Sequence, residues 1–290
     1  MRRIIPLLLF ITIPFINSQA QDEPTLQMDQ TFNTTSGLRL DYSGISGDMI
    51  INTWDKNEAR VMVYANSNAT ESIEIKLVDG NGGINIKESS KYNSAGKHNV
   101  ILRYEITLPW NYNVYISSGS SDYKIGNLTG AVKVKTSSGD GQLNSITGPV
   151  NIVSSSGDLT METVNGEVKV NSASGDILAV IINGKSDIRT ASGDISLNGI
   201  TDHSKIISTS GDVVYVTGNF TPGATITTTS GDISVILSDA TQATVSFKTK
   251  EKQVKYEEYA NGKEIYNGGG NLIECKTTSG EVSVMVGNDY

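Results

Sequence analysis

The stretch Val150-Asn151-Ile152-Val153-Ser154-Ser155-Ser156-Gly157-Asp158-Leu159 is followed 18 residues later by Val168-Lys169-Val170-Asn171-Ser172-Ala173-Ser174-Gly175-Asp176-Ile177. The shared Ser-Gly-Asp phrase also occurs at 138–140, 192–194, 210–212 and 230–232, so its glycine recurs after 18 residues four times and then after 20. Looser copies flank the array: Ser118-Gly119 with Asp122, and Ser279-Gly280-Glu281. A fixed period of this size marks one small unit stacked on copies of itself.

Aligning the copies on glycine separates inward from outward positions. Before the turn, three columns alternate with polar neighbours: Val132, Val150, Val168, Ser186, Ser204, Ala224; then Val134, Ile152, Val170, Ile188, Ile206, Ile226; then Thr136, Ser154, Ser172, Thr190, Ser208, Thr228. After it come Leu159, Ile177, Ile195, Val213, Ile233 and then Met161, Ala179, Leu197, Tyr215, Val235. The spacing of two within each half is strand periodicity. A second turn follows half a period later, at Thr129-Gly130, Thr147-Gly148, Asn165-Gly166 and Asn183-Gly184. Each 18-residue coil therefore holds two short strands and two turns. The predicted fold is all-β: a flattened single-stranded β-solenoid with a narrow Val/Ile core and coils about 4.8 Å apart.

Two other architectures fail on the same residues. A hexapeptide helix needs an inward aliphatic every six positions, but the series Ile146, Ile152, Asp158, Val164, Val170, Asp176 puts a carboxylate there every third time. A transmembrane barrel needs strands of about 9–11 residues with an apolar outer face. The strands here are shorter and mostly polar outside.

Four regions follow: 1–20, 21–116, 117–237 and 238–290. Residues 1–20 read as a signal peptide, with Arg2-Arg3, the apolar run Ile4–Ile16 and the small-x-small site Ser18-Gln19-Ala20. The run is too short, and too broken by Pro6 and Pro14, for a membrane span. The chain is thus expected to be exported to the periplasm, the outer surface or the medium, with no transmembrane segment afterwards. Residues 21–116 contain strand-like pieces of irregular length, ending in Val100–Leu108 before Pro109, and predict irregular coils or a small β-sandwich over the solenoid's first edge. Residues 117–237 are the regular coils. Residues 238–290 hold an aromatic insert over 240–272 (Phe247, Tyr256, Tyr259, Tyr266), with Asn261-Gly262 read as a hairpin turn, and a final capping coil in which Ile273, Cys275, Val282 and Val284 return to register.

The formal charge is −8, or −10 without Arg2 and Arg3. An acidic chain has no overall attraction to nucleic acid or anionic lipid, so neither is expected as a partner. With Cys275 alone, no intramolecular disulfide forms.

The array, together with Tyr104-Glu105-Ile106-Thr107-Leu108-Pro109, resembles a bacterial family of adhesin-like proteins with β-strand repeats and a domain of unknown function. Its members share a signal peptide, an Ile-x-Leu-Pro strand and repeated Ser-Ser-Gly-Asp-Ile turns. The likeness spans roughly residues 36–287. It implies an exported β-solenoid and brings no catalytic residues or cofactor.

The Asp row (Asp140, Asp158, Asp176, Asp194, Asp212, Asp232) is the one candidate site. Its first reading is structural: each Asp caps its own turn by accepting a backbone N–H. Its second is a calcium ladder, since stacked carboxylates suit a hard cation, although the calcium-solenoid Gly-Gly-x-Gly-x-Asp pattern is missing. The Ser/Thr column predicts hydroxyls bonded between coils. A nucleophilic site lacks a base near its serines, because the only histidines are His98 and His203. His203 reads as an exposed loop residue and Cys275 as a buried core thiol.

The expected function is a non-catalytic scaffold that binds a cell-envelope, glycan or protein ligand. The alternative is a glycosidase or lyase on a β-helix, which would need two differently tuned carboxylates. Glu162, Glu167 and Asp187 interrupt the uniformity without forming an evident pair. Outward apolar residues Leu178, Val180, Val214, Val216 and Ile236 predict a stripe covered by the insert.

Overall fold

The computed structural model describes residues 23–80, 82–91, 99–218, 223–249 and 261–287. The signal segment, His98, Tyr256 and Tyr259 lie outside them. The described chain is almost wholly strand, arranged as two long sheets of 14 and 13 strands, with one named six-residue helix, Ser67–Ser72.

Strands of the array alternate between the sheets, so each circuit adds one strand to each wall. In the 13-stranded sheet, parallel partners run Val132, Val150, Val168, Ser186, Ser204, Ala224. In the other they run Leu159, Ile177, Ile195, Val213, Ile233, Val282. Every member of both series is at most 5% exposed. The architecture is a β-solenoid: each coil's backbone groups pair with its neighbours, and the inward row of each strand fills the narrow core. Full burial of each Val or Ile contributes about 1.5–3 kcal/mol. Where two serines replace the Val of their column, Ser186 Oγ donates to Ser204 Oγ at 2.7 Å, so neither hydroxyl is left alone in the core.

The N-terminal strands belong to the same two sheets. Arg39–Gly44 pairs in parallel with Asn113–Ser120, and Asp48–Trp54 with Tyr123–Ile125. Outside that coil lies a second one, Gly83–Ser90 and Leu102–Pro109. Antiparallel strands Ile73–Gly80, Glu58–Ala65 and Thr25–Asn33 finish this end. The chain therefore starts one coil inside, runs out to build the cap, and re-enters beneath its own beginning. Antiparallel closure removes the parallel edges that would recruit other strands.

The other end uses a similar device. Ala243–Lys248 lies beyond Asn271–Lys276, which slots between it and Ala224–Ser230. Asn261–Tyr266 then closes the edge antiparallel to Ala243–Lys248. Asn261-Gly262 is not the turn its dipeptide suggests: both residues are in the strand, opposite Lys248 and Phe247, because ladder pairing overrides the local preference. Val282–Val286 resumes the register against Ile233–Leu237.

The expected apolar stripe also differs. Leu178 and Val180 are 43% and 39% exposed, whereas Ile236 is buried. The described strands of the insert lie in the opposite, 13-stranded sheet, whose edge supplies their hydrogen-bond partners, so they do not cover that stripe.

Candidate functional site

Each Ser-Gly-Asp marks the turn from one sheet to the other. The glycines bring successive turns into direct contact: an added Cβ on Gly175 would lie 2.2 Å from the carbonyl oxygen of Gly157, and Gly157 and Gly193 repeat the arrangement.

The aspartates form one continuous ladder between coils. The backbone N–H of Asp140 donates to Asp122 Oδ1, that of Asp158 to Asp140 Oδ1, and the series continues through Asp176, Asp194, Asp212 and Asp232, each at 2.8 Å. Glu281 ends it by donating its N–H to Asp232 Oδ1. The carboxylates thus cap the neighbouring turn rather than their own. The backbone supplies the reason. The Asp140 carbonyl points toward the preceding coil and accepts from Tyr123, and the Asp158 carbonyl likewise accepts from Gly141. No main-chain acceptor then faces the N–H of the following Asp, and the side chain takes that place.

The hydroxyl column exchanges roles with it. Thr136, Ser154, Ser172 and Thr190 donate within their own coil, to the carbonyls of Ser138, Ser156, Ser174 and Ser192. The expected inter-coil hydroxyl ladder is replaced by own-turn caps, because the carbonyl two residues on lies within reach at 2.6–2.9 Å.

The ladder begins at a residue outside the period. Asp48 Oδ1 accepts from Asp122 N–H at 3.2 Å, across 74 residues. Ser46-Gly47-Asp48 is itself a copy of the repeated phrase; a search for the tripeptide alone finds it, whereas a search at fixed spacing does not. Asp48, Asp122, Asp140 and Asp158 border a shallow groove of about 350 Å³, with Tyr123, Lys124 and Gln142 among its other walls. Burial, and then the charge of Asp122, push the Asp48 carboxyl above the usual aspartate range, against a hydrogen bond from the Asp122 backbone and the charge of Arg103.

A buried carboxylate braces this end. Glu88 Oε1 accepts from the hydroxyls of Tyr42 and Tyr104 at 2.5 and 2.8 Å, and Oε2 accepts from the N–H groups of Ile45 and Ser46 at 2.8 and 3.2 Å. The two rings meet edge to face. Burial, then the Glu88 charge, raises both phenols far above their ordinary values. Four donors compensate the charge that burial would otherwise penalise, and the turn carrying Asp48 is fixed in the process. Nothing in the local sequence distinguishes Glu88 from the surface acids; only the fold brings its partners together.

Other candidates are dispersed. Asp187 gives both oxygens to Arg189. Glu162 and Glu167 are exposed. His203 is exposed and its N–H donates to Asp202 Oδ1. Cys275 is 1% exposed, and burial pushes its thiol up to about 12. Among the described residues, no group of three or more His, Cys, Asp and Glu side chains converges in a way that could hold a metal ion.

Two closed sheets, a glycine-lined edge and a carboxylate ladder define a capped β-solenoid whose regular surface is built for display. The chain belongs to the Toastrack DUF4097 family, whose model matches residues 17–185 and again 104–285. Solved structures share the fold. A candidate adhesin from Bacteroides fragilis is 14% identical, with a TM-score of 0.50 over 90% of this chain and 97% of its own. A candidate adhesin from Parabacteroides distasonis is 11% identical, with a TM-score of 0.52 over 90% and 97%. No curated protein matches the sequence. Among the described residues, no helix is long and apolar enough to cross a membrane.

Proposed function

We propose that this protein is an exported, non-catalytic scaffold of 18-residue β-solenoid coils that holds a ligand-binding surface at the cell envelope, as an adhesin does. A signal peptide at residues 1–20 would deliver it to the periplasm, the outer surface or the medium. The observation that carries this reading is the equivalence of the acids along the edge: from Asp122 to Asp232 each carboxylate accepts the same backbone N–H at the same distance. Groups in identical settings maintain a scaffold; acid–base catalysis needs two carboxylates in unlike settings. The Asp row is thus assigned to turn architecture, with no bound calcium. The fold shared with candidate adhesins supports a binding role.

The test is binding of the labelled protein to cell-envelope fractions, with soluble polysaccharides assayed alongside for cleavage. Saturable binding without cleavage is the expected result. One observation favours the alternative glycosidase or lyase: the raised carboxyl of Asp48 stands beside Asp122 in the groove. Release of reducing ends or of unsaturated sugar products that disappears in Asp48→Asn would make the protein an enzyme.

A further inference from the structure

The net charge of −8 hides a strong segregation. Carboxylates line one edge, from Asp48 to Glu281. The outer face of the 13-stranded sheet is the reverse. Over the five consecutive strands from Val132–Ser138 to Ser204–Ser210, its outward positions carry five cations and one carboxylate. That carboxylate, Asp187, is already engaged by Arg189. Among the described residues, Lys133, Lys135, Lys169 and Lys205 form no ion pair, and all four are exposed.

The cations are also ordered. Register puts Lys133, Asn151, Lys169, Asp187 and Lys205 in one outward column along the solenoid axis. A lysine therefore recurs every second strand, about 10 Å apart at a strand spacing of about 4.8 Å. At the upper end the column meets Tyr115, whose ring lies 4.8 Å from the Arg39 guanidinium carbon and 5.9 Å from Lys133 Nζ. These contacts hold the two cations in place on the sheet.

We infer that this lysine column is a docking track for a linear acidic polysaccharide carrying about one carboxylate per disaccharide. Charge complementarity and spacing select that class. An extended disaccharide spans about two strand spacings, so successive carboxylates would meet successive lysines. Duplex DNA, with a charge every ~1.7 Å of axis, is far too dense for one cation per two coils. A planar anionic membrane laid on the sheet would also approach the carboxylate edge at the ends of the same strands, whereas a single polymer strand avoids it. The inference rests on the binding role proposed above and names its ligand class.

The test uses hyaluronan as probe, with dextran, duplex DNA and phosphatidylglycerol–phosphatidylcholine vesicles as comparisons. The protein should bind hyaluronan, with affinity falling about tenfold or more as NaCl rises from about 50 to about 300 mM, and should not bind dextran. Lys133→Gln/Lys169→Gln/Lys205→Gln should weaken binding at least about tenfold, with an unchanged melting temperature because these side chains are solvent-exposed. The three Lys→Arg changes should retain binding, as should Lys124→Gln/Lys185→Gln, which removes cations elsewhere. Equal hyaluronan binding by the triple Gln variant, no hyaluronan binding at all, or tighter binding to DNA or vesicles overturns the track. If envelope fractions bind wild type and triple variant equally, the track fails and the binding role stands; if they bind neither, and hyaluronan is not bound, both fail.

Discussion

Gly175 holds two separable constraints, and other glycines of the chain carry one each. Gly175 has φ +105°, and a Cβ there would meet the Gly157 carbonyl oxygen at 2.2 Å and its carbon at 2.7 Å. Gly37 has φ +85° with nothing within 4 Å. Gly184 lies outside the positive-φ set, yet its Cβ would come within 2.3 Å of the Gly166 oxygen. Gly37→Ala therefore isolates backbone strain, about 1–2 kcal/mol. Gly184→Ala isolates the approach of two coils: relieving the contact means moving one backbone away from the other by about 1 Å, an overpacking cost of about 1–3 kcal/mol. Gly175→Ala should combine them, at about 2–5 kcal/mol, and Gly175→Val should exceed that. The neighbouring Asp176→Asn keeps an acceptor for the Asp194 N–H and loses only charge assistance, about 1 kcal/mol. Urea denaturation followed by circular dichroism gives the ranking. Gly184→Ala proving no worse than Gly37→Ala would show that coil contact does not impose the glycine. Asp176→Asn proving worse than Gly175→Val would mean that the carboxylate, not the glycine, holds the turn.

Ile188 is 0% exposed, so Ile188→Asp should cost several kcal/mol by burying an unpaired charge; a melt within a degree or two of wild type would contradict its inward placement. Thermal melts in EGTA and in millimolar calcium should coincide, since each ladder carboxylate is held by a backbone N–H; a calcium-dependent rise abolished by Asp176→Asn/Asp194→Asn would instead establish the calcium row. Cys275 should resist a thiol reagent in the native protein and react on unfolding, as read by mass spectrometry, because burial raises its thiol to about 12. The hydrogen bond and charge of Arg189 lower the Asp187 carboxyl below its model value of 3.8, so the ion pair stabilises the fold above that pH and its contribution is lost as pH falls through the lower folded value. Titration of the Asp187 carboxyl by NMR should give a midpoint that rises in Arg189→Gln; an unmoved midpoint would contradict the pairing.

The repeat made the solenoid legible from residues alone. Columns of Val and Ile two apart face inward because a strand alternates its side chains, and a recurrent glycine can recur only where copies of one turn stack. Partner choice within the turn was not legible. An aspartate can cap its own turn or the next, and a hydroxyl can bond along its coil or across it; these alternatives differ by about 1 kcal/mol or less locally. Stacking decides between them by directing the Asp140 carbonyl away from the Asp158 N–H and leaving only the side-chain oxygen in reach. The same holds for Ser46-Gly47-Asp48, joined to Asp122 across 74 residues, for Glu88 beneath two tyrosines, and for the strand slipped between Ala224–Ser230 and Ala243–Lys248. Periodicity by itself determined which residues face the core, because it is a local property of the strand. Only the tertiary structure decided which polar groups meet, and gathered lysines onto one face of an acidic chain, because those contacts join residues that share a position in adjacent coils but not a neighbourhood in sequence.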